Sequence, residues 1–365
     1  MELSNEELEY YARQICLPEF SIQAQTRLKQ SSVLVIGAGG LGVPVLQYLT
    51  AAGVGKISIL DADIISVSNL HRQVLFAKED VGKPKVEIAK EKLQRQNPYI
   101  QIEIFQENIN VENAISFVSK FDVICDCTDN FAARYLINDA CVLAQKPLVN
   151  ASILRFQGQL SVFNYKTKIN YRDVFPEPPE HTLNCAEAGV IGALCGIMGS
   201  MQANEVIKII TQIGETLEGK LWCFDVLKNE VQTFNITSSE IPIVALQNSY
   251  TTISCSASTE IKRKISPQEL HQMLIEKREF QLIDVREKWE FDIAHLSETL
   301  IPLATLPGNI NQVSKENPVI IYCKGGTRSD KAVELLMANG FTNVFSLQGG
   351  IIAYAKEIDA RLPIY

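Results

Sequence analysis

A strand, a glycine-rich turn and a helix near the start of the chain restrict its fold more than any other feature. The apolar run VLVI at residues 33–36 leads directly into GAGGLG, and small and apolar residues continue at helical spacing to Ala52. This order predicts a strand that turns tightly into a helix. Such a turn suits a phosphate, because glycines allow close approach of backbone N–H groups and the helix dipole favours negative charge.

Apolar strands recur through the first half of the chain and alternate with helical stretches. After a strand at residues 56–60, further strands are predicted at residues 100–105, 121–126 and 147–151. This alternation is typical of a parallel sheet that helices cover on both faces. We therefore expect an α/β fold that begins with a doubly wound nucleotide-binding domain.

The second half of the chain predicts an antiparallel extension, a linker and a smaller domain. Beyond Gly158, the strands QLSVF and LWCFDV flank a stretch rich in small residues at 188–210, which predicts a buried helix. Residues 237–260 are rich in Ser and Thr and predict an interdomain linker, within which the apolar stretch 243–246 is a candidate for docking. Residues 261–365 then predict a second, small α/β domain.

Length, charge and cysteine content exclude several classes of protein. A chain of 365 residues exceeds what one hydrophobic core usually serves. The net charge of −8 and the lack of a Lys/Arg block argue against direct binding of nucleic acid. The acidic start ELSNEELEYYARQ does not look like a signal peptide, and no apolar run is long enough to cross a membrane. Because the nine scattered cysteines indicate reduced thiols, we expect a cytoplasmic protein.

Polar side chains after the glycine turn indicate the type of nucleotide chemistry. Asp61 ends the second strand, where dinucleotide-binding domains hold a ribose, so these features alone equally suit a nicotinamide-dependent oxidoreductase. Attack of a carboxylate on the α-phosphate of ATP instead needs charge neutralisation and alignment. A polar and cationic cluster that dehydrogenases do not need follows the strand: Asn69, Arg72, Gln73 and Lys85.

Asp129 follows the strand in FDVICDCTDN and offers a carboxylate for Mg²⁺, although it could instead cap the helix that starts at Asn130. Together, GAGGLG, DAD, SNLHRQ, GKPK, DCTDNF and CAEAGV resemble the MoeB/ThiF branch of the E1-type activating enzymes over residues 1–234. This resemblance implies an adenylation domain at residues 1–236 that uses ATP and Mg²⁺.

The resemblance also implies roles for individual residues. Arg72 and Lys85 contact phosphates, Asp129 binds Mg²⁺, and Arg13 in YYARQ reaches across a homodimer into the partner's ATP. Each of these side chains alone is more often an ordinary surface or capping group, but their joint order along one sheet edge favours a site. The nucleotide-binding positions within the chain are Gly37, Gly39, Gly40, Gly42, Asp61, Asn69, Arg72, Gln73, Lys85 and Asp129.

Cys185 in NCAEAGV matches, by the same resemblance, the crossover cysteine that accepts an acyl group as a thioester or an acyl disulfide. Its alternative role is a small buried residue before a packed helix. Arg155 and Arg172 are candidates for favouring its thiolate form. Other cysteines lie in apolar strands or helices and are expected in the core: Cys125, Cys127, Cys141, Cys195 and Cys223.

Many family members hold a structural zinc with two C-x-x-C pairs, and this chain departs from both. The first pair is replaced by Asn170 and Asp173 in NYRD, and the second retains Cys255 but has Ser258 in CSAS. A tetrahedral site needs four good ligands, usually thiolates or imidazoles. We therefore expect no structural zinc and expect polar contacts to hold this corner together.

A cysteine loop in the second domain carries the clearest signal of sulfur chemistry. In YCKGGTRS, Cys323 ends a strand, two glycines follow and a helix begins, so backbone N–H groups surround a thiolate or persulfide. Arg328 can neutralise an anionic sulfur donor. With LIDVREKWEFDIAHLSETLIPL before it and LQGGI after it, the loop resembles the rhodanese domain over residues 265–365. A phosphatase loop is the alternative, although that loop usually has one more residue.

Asp284, Arg286 and His295 match the framework motif of the rhodanese domain, and we expect the first two to be mainly structural. The two resemblances predict ATP-dependent adenylation of the C-terminal glycine of a ubiquitin-like sulfur carrier, of the MoaD or ThiS type, and sulfur transfer to form its thiocarboxylate. Expected partners are a carrier ending in Gly-Gly and a sulfur donor such as a cysteine desulfurase.

Molybdopterin biosynthesis is the leading interpretation of the pathway, with thiamine synthesis and tRNA thiolation as alternatives. Two further functions stay open from the sequence. The rhodanese half could serve only for sensing or docking, or the chain could be a nicotinamide-dependent oxidoreductase with an accessory rhodanese module.

Overall fold

The chain divides into two units, Met1–Ser254 and Cys255–Tyr365. This division falls within the linker predicted at residues 237–260. None of the helices in the described part of the chain combines the length and apolar content that crossing a membrane requires. The computed structural model describes residues 2–177, 189–239, 242–247, 250 and 263–363.

An eight-stranded sheet forms the centre of the first unit, in the order β3-β2-β1-β4-β5-β6-β7-β8. The strands from β1 to β5 pair in parallel, and those from β5 to β8 pair antiparallel. The predicted doubly wound α/β fold with an antiparallel extension is therefore confirmed. The strands are β1 (Ser32–Ile36), β2 (Lys56–Leu60), β3 (Gln101–Phe105), β4 (Val123–Asp126), β5 (Leu148–Leu154), β6 (Gln157–Phe163), β7 (Lys220–Asp225) and β8 (Glu230–Asn235).

Helices cover both faces of this sheet, and two of them show how the sequence specifies their ends. Ser4 and Glu7 form a capping box that starts the first helix, a signal that the SNEE sequence carries. The helix after the glycine turn ends at Gly53, whose φ of 85° suits the left-handed C-terminal position. The helices are α1 (Asn5–Tyr10), α2 (Ala12–Ile15), α3 (Ser21–Gln30), α4 (Gly42–Ala52), α5 (Lys85–Gln96), α6 (Ala114–Val118), α7 (Phe131–Ala144), α8 (Tyr171–Val174) and α9 (Gly192–Thr211), with 3₁₀ turns at Val67–Asn69 and Lys78–Asp80.

The helix predicted at residues 188–210 corresponds to α9, which begins at Gly192 and packs against α4 and β5. Small residues permit this contact: a Cβ on Gly199 would lie 2.5 Å from the Leu41 carbonyl oxygen. The apolar residue Leu246, from the stretch at 243–246, packs on the core cluster of the first unit that includes Tyr250.

The second unit is built on a five-stranded parallel sheet in the order β11-β10-β12-β13-β9. Its central strands are buried on both faces, as expected for a parallel sheet between helices. Its elements are β9 (Lys264–Ile265), α10 (Pro267–Ile275), β10 (Gln281–Asp284), α11 (Lys288–Ile293), β11 (Thr299–Leu300), a 3₁₀ segment (Leu306–Gln312), β12 (Val319–Tyr322), α12 (Thr327–Ala338), β13 (Val344–Leu347) and α13 (Gly350–Glu357).

Candidate functional sites

A cavity of about 750 Å³ lies in the first unit, beside the carboxyl ends of β1, β2 and β4. The strand order reverses here, since β2 lies on one side of β1 and β4 on the other. This is the position at which doubly wound sheets bind ligands. The predicted residues that line it are Gly37, Gly39, Gly40, Asp61, Asn69, Arg72, Gln73, Lys85 and Asp129.

The glycine turn forms one wall of the cavity, and close packing requires two of its glycines. Gly37 has a φ of +98°, and a Cβ there would lie 2.8 Å from the Cys127 carbonyl oxygen. Gly42 is absent from the cavity wall, and a Cβ on it would lie 1.9 Å from the Gly37 carbonyl oxygen. The absence of a side chain at Gly42 therefore allows the start of α4 to pack closely against the end of β1.

Asp61 lies at the end of β2 and ties the turn to the neighbouring strand. One carboxylate oxygen accepts the Ala38 N–H at 2.7 Å, and the other accepts the Asp63 N–H at 2.7 Å. These bonds orient the carboxylate at the cavity wall, where a ribose hydroxyl is a suitable ligand.

The two predicted phosphate-binding cations face the cavity while they contact protein acceptors. Lys85 is 4% exposed, and its ammonium group lies 2.7 Å from Asp63 Oδ2. Arg72 donates to the Ser68 carbonyl at 2.9 Å and lies 2.8 Å from the His71 ring nitrogen. Burial and the Arg72 charge lower the pKa of His71, so a neutral imidazole accepts this hydrogen bond.

Gln73 and Arg134 present unsatisfied polar atoms at the buried side of the cavity. Gln73 is 3% exposed, and its Oε1 atom has no hydrogen-bond partner among the described residues. Arg134 is 6% exposed, and its Nε atom likewise lacks a partner in the described part of the chain. Sequence reasoning missed Arg134, because an arginine on a helix after Asn130 looks like a solvated charge. A polar ligand in the cavity would satisfy these atoms.

Asp129 is exposed at the cavity wall, and it does not cap the following helix. The N-cap of α7 is Asn130, whose Oδ1 accepts the Ala133 N–H at 2.8 Å, so the capping alternative for Asp129 is wrong. Hydrogen bonds to the buried Asp126 hold the loop that carries Asp129. The Asp126 carboxylate accepts the Thr128 N–H at 2.9 Å and the Thr128 hydroxyl at 2.7 Å. Burial raises the pKa of Asp126, and the nearby Arg134 charge opposes that shift.

Four of the five cysteines that were predicted in the core are buried there. Two of these four, Cys127 and Cys195, also line the cavity. Burial raises the pKa of Cys127 well above its ordinary value, so its thiol is protonated and a poor nucleophile. Cys125 and Cys141 lie in the core as expected, but Cys223 is only half-buried on β7, so the core prediction is wrong for it. Cys185 lies outside the described residues.

Polar contacts surround Asn170 and Asp173, the two residues that replace the first C-x-x-C pair. Asn170 and Asp173 form a capping box around α8, and Asp173 also accepts the Ser239 N–H and hydroxyl at 2.6 Å. Two guanidinium nitrogens of Arg172 donate to Asp139 at 2.8 Å each. Arg172 is thus engaged with Asp139, and the structure gives no support to its suggested role beside Cys185. Cys255 and Ser258 lie outside the described residues.

Arg13 lies on the exposed side of α2 and is not part of the cavity wall of its own chain. Arg155 is exposed beyond the end of β5 and has a φ of 57°. Within the described ranges, there is no group of three or more His, Cys, Asp or Glu side chains that could hold a metal ion.

The Cys323 loop of the second unit joins β12 to α12. Cys323 is 1% exposed, and its sulfur accepts the Gly326 N–H at 3.1 Å. Gly326 has a φ of +106°, which allows the chain to turn this N–H towards the sulfur. The sulfur therefore lies beside a backbone donor at the start of α12.

Arg328 follows this loop and forms a bidentate ion pair with Glu290, at 2.5 and 2.8 Å. Burial opposes ionisation of Glu290, but the Arg328 charge and the Glu287 N–H outweigh it and lower the pKa of Glu290. The predicted neutralisation of a sulfur donor by Arg328 must therefore compete with this pair.

The framework residues of the second unit behave as expected. Asp284 and Arg286 are fully buried, and Arg286 Nη2 lies 2.5 Å from Asp284 Oδ2 while it also donates to the Ala294 carbonyl at 2.6 Å. His295 is exposed, and its ring stacks on Phe291 with centroids 4.2 Å apart.

Each of the two units matches a known protein family. Residues 11–242 match the ThiF family, and residues 266–357 match the rhodanese-like domain. The chain is 40% identical to a probable adenylyltransferase/sulfurtransferase, MoeZ of Mycobacterium tuberculosis, over all of this chain and 96% of that protein. It is 37% identical to the adenylyltransferase and sulfurtransferase MOCS3 of Danio rerio, over all of this chain and 88% of that protein.

Solved structures share the fold of the first unit. E. coli MccB with MccA-N7isoASN is 25% identical and superposes with a TM-score of 0.58, over 65% of this chain and 74% of MccB. E. coli MccB with ATP is 25% identical and gives a TM-score of 0.53, over 66% of this chain and 74% of MccB.

Proposed function

Because the chain belongs to the ThiF family and ends in a rhodanese-like domain, we propose that it adenylates the C-terminal glycine of a ubiquitin-like sulfur carrier and transfers sulfur to it from Cys323. The chain is an enzyme, an adenylyltransferase and sulfurtransferase, as its relatives over the full length are named. The observation that carries the proposal is the cavity at the strand-order reversal, which is lined by the glycine turn, Lys85 and Arg72.

In the proposed adenylation, a carboxylate oxygen of the carrier attacks the α-phosphorus of ATP. The bond from this phosphorus to the bridging oxygen breaks, pyrophosphate leaves, and an acyl-adenylate forms. Lys85 and Arg72 neutralise the phosphate charge, and they can exchange their protein acceptors for phosphate oxygens. Asp61 and the glycine turn hold the nucleoside, and Asn69 and Gln73 shape the remaining wall. The ATP in the similar MccB structure supports this use of the cavity.

Mg²⁺ fits the donor chemistry of this site. Asp129 offers an exposed carboxylate on the cavity wall, and Mg²⁺ usually takes one or two protein oxygens and keeps several waters. When bound, the metal would supply charge neutralisation at the phosphates, and Asp129 would hold it. The buried contacts of Asp126 with Thr128 support that placement of Asp129.

In the proposed sulfur transfer, the terminal sulfur of a Cys323 persulfide attacks the activated acyl carbon. AMP leaves, and an acyl disulfide forms between the carrier and Cys323. A second thiol then attacks the sulfur of Cys323, which breaks the S–S bond and releases the carrier thiocarboxylate. Cys185 is our candidate for this thiol, or for an earlier thioester with the carrier. A dithiol reductant would then reduce the disulfide between this second thiol and Cys323. A cysteine desulfurase or another persulfide donor would load the regenerated Cys323 thiol again.

The proposed assembly and pathway follow from the family. Arg13 is exposed on α2 and outside the cavity of its own chain, which suits an arginine that completes the site of a partner in a homodimer. Molybdopterin biosynthesis is the pathway we propose, because the relatives carry the names MoeZ and MOCS3. We propose a cytoplasmic location, and no structural zinc.

The test is carrier-dependent exchange of pyrophosphate with ATP, with a panel of carriers ending in Gly-Gly of the molybdopterin, thiamine and tRNA-thiolation types. We expect exchange with one carrier, followed by a mass gain of that carrier equal to the replacement of one oxygen by sulfur once a persulfide donor is added.

Absence of exchange with every carrier, despite ATP binding, would contradict the proposed acyl substrate. Tight binding of NADH without binding of ATP would instead favour the oxidoreductase.

A further inference from the structure

Two buried serine hydroxyls form a chain behind the sulfur of Cys323. Ser329, in the first turn of α12, has its Oγ atom 3.5 Å from Cys323 Sγ. Ser346, in the middle of β13, donates a hydrogen bond to Ser329 Oγ at 2.9 Å. Both serines are 0% exposed, so water cannot replace either hydroxyl.

The hydrogen atoms in this chain have a defined arrangement. The hydroxyl of Ser329 donates to the Gly326 carbonyl at 2.8 Å. That carbonyl also accepts the Asp330 N–H at 2.9 Å, so it keeps a partner if the Ser329 hydroxyl turns away. The Ser329 hydroxyl can therefore rotate towards Sγ when the sulfur is an anion, at little cost to the helix start.

Ser346 determines whether the Ser329 hydroxyl donates a hydrogen bond to the Cys323 sulfur or accepts one from it. While Ser346 donates to Ser329 Oγ, that oxygen is satisfied and its own hydrogen is available for the sulfur. Without Ser346, the buried oxygen needs another donor, and the S–H group of neutral Cys323 is within reach at 3.5 Å. Loss of Ser346 would then favour the protonated thiol over the anion.

We infer that Ser346 is a positioning residue for Cys323, which acts through Ser329 and keeps that hydroxyl a donor to the sulfur anion. The Gly326 N–H supplies a fixed donor from the loop, and the serine chain supplies a second one from the core of the unit. The importance of Ser346 for activity rests on the proposed sulfur transfer at Cys323.

The experiment measures the alkylation rate of Cys323 by iodoacetamide in the full chain as a function of pH, with the modified peptide identified by mass. We expect Ser346→Ala to move the midpoint of the profile upwards by about one pH unit, the size of one hydrogen bond to a charged group. Ser329→Ala should move it in the same direction. The double variant should match Ser329→Ala, because Ser346 acts through Ser329.

The matched control is Ser314→Ala, which removes a half-buried hydroxyl of the same unit that contacts the Asn317 N–H instead. Its profile should coincide with that of the unaltered chain. Ser346→Cys, which is nearly isosteric and a weaker donor, should give a smaller shift in the same direction and serves if the alanine variant does not fold.

An unchanged midpoint in a folded Ser346 variant would overturn the inference, and so would a Ser346→Ala shift that persists in the Ser329→Ala background. The measurement needs no transfer activity. A shifted profile in a chain that forms no thiocarboxylate would therefore overturn the proposed function alone.

Discussion

The two sites differ in how their residues are distributed along the chain. The cavity of the first unit is lined by residues between Ile36 and Tyr250, which come from the ends of several strands and the loops after them. The polar groups that contact the Cys323 sulfur come from residues 326 and 329, and Ser346 of β13 contacts Ser329 in turn. The geometry of a contiguous loop is set by the conformation of its own backbone. The geometry of a cavity at the ends of several strands depends on the packing of the whole sheet.

The cations of the two sites also differ in the partner that holds them. Lys85 pairs with Asp63, whose side chain is 71% exposed, while Arg328 pairs with Glu290, whose side chain is 4% exposed. A phosphate can displace the exposed Asp63 into water at small cost, but displacing Glu290 would separate a buried carboxylate from its arginine. We therefore expect Lys85 to act mainly on the ligand and Arg328 mainly on the structure of its loop.

The largest effect should come from Cys323→Ser, because this variant separates sulfur transfer from adenylation. Thiocarboxylate formation should fall roughly 10³-fold or more, because the hydroxyl cannot carry a transferable sulfur. Carrier-dependent pyrophosphate exchange should be unchanged, since the proposed adenylation site lies in the first unit. The two rates are measured on the same preparation, by carrier mass and by label exchange. Full thiocarboxylate formation by this variant with a persulfide donor would show that the rhodanese half only docks or senses.

Lys85→Met should have the next largest effect. It should lower pyrophosphate exchange by about 10²–10³-fold, because a buried cation that neutralises phosphate charge is lost. Folding should survive, since the partner left behind, Asp63, is exposed. Lys90→Met, an exposed lysine on the same helix, is the matched control and should leave exchange unaltered. Equal exchange rates in the two variants would remove Lys85 from the proposed mechanism.

The contrast between the sites explains what could be predicted from the sequence. The glycine turn and the Cys323 loop were found because their residue types follow directly from local backbone requirements. Gly37 needs a positive φ and Gly326 needs one too, so both positions carry a local signal. Asp61 was assigned from its position at the end of the strand that follows the glycine turn. The phosphate-binding roles of Arg72 and Lys85 came from the family resemblance, because a single sequence does not show which distant residues pack together.

Other residues carry no local signal of their position. Arg134 faces the cavity because α7 packs its buried side against the sheet, and nothing near it in the sequence distinguishes it from a surface arginine. Tyr250 lies in a polar stretch predicted as linker, yet its partner Asp139 is 111 positions away. Such long-range contacts become visible only in the folded chain.

Glu290→Gln tests whether Arg328 is mainly structural. The variant should destabilise the second unit by about 1–3 kcal/mol at neutral pH, since a charged hydrogen-bonded pair is lost. Because its pKa is lowered in the folded chain, the stability that Glu290 contributes is complete above its ordinary value of 4.5 and is lost as the pH falls through the lowered value. The difference between the variant and the unaltered chain should therefore shrink in acid.

Urea unfolding at several pH values measures this effect through Trp289, which is in the second unit, with Trp222 replaced by Phe to remove the signal of the first unit. Glu334→Gln, on the exposed side of α12, is the control for the loss of a surface carboxylate and should leave the stability of the second unit at neutral pH unaltered. A Glu290→Gln chain as stable as the control would mean that the pair with Glu290 is not the main role of Arg328, and it would favour the predicted role beside a sulfur donor.

The smallest effect should come from Tyr250→Phe, which tests how far the cavity depends on a distant contact. The Tyr250 hydroxyl donates to Asp139 at 2.8 Å and also accepts the Gln247 N–H at 3.0 Å, and its ring lines the cavity. Loss of this hydroxyl should destabilise the first unit by about 1 kcal/mol, because Arg172 still satisfies the buried Asp139 carboxylate.

The measurement is urea unfolding. The midpoint followed by Trp222, with Trp289 replaced by Phe, should move to lower urea concentration, while the midpoint followed by Trp289 should not move. Tyr99→Phe removes an exposed hydroxyl of the same unit and should leave both transitions in place. If Tyr250→Phe also left both unfolding transitions in place, the cavity would not depend on this distant contact. The two sites would then both depend mainly on local structure.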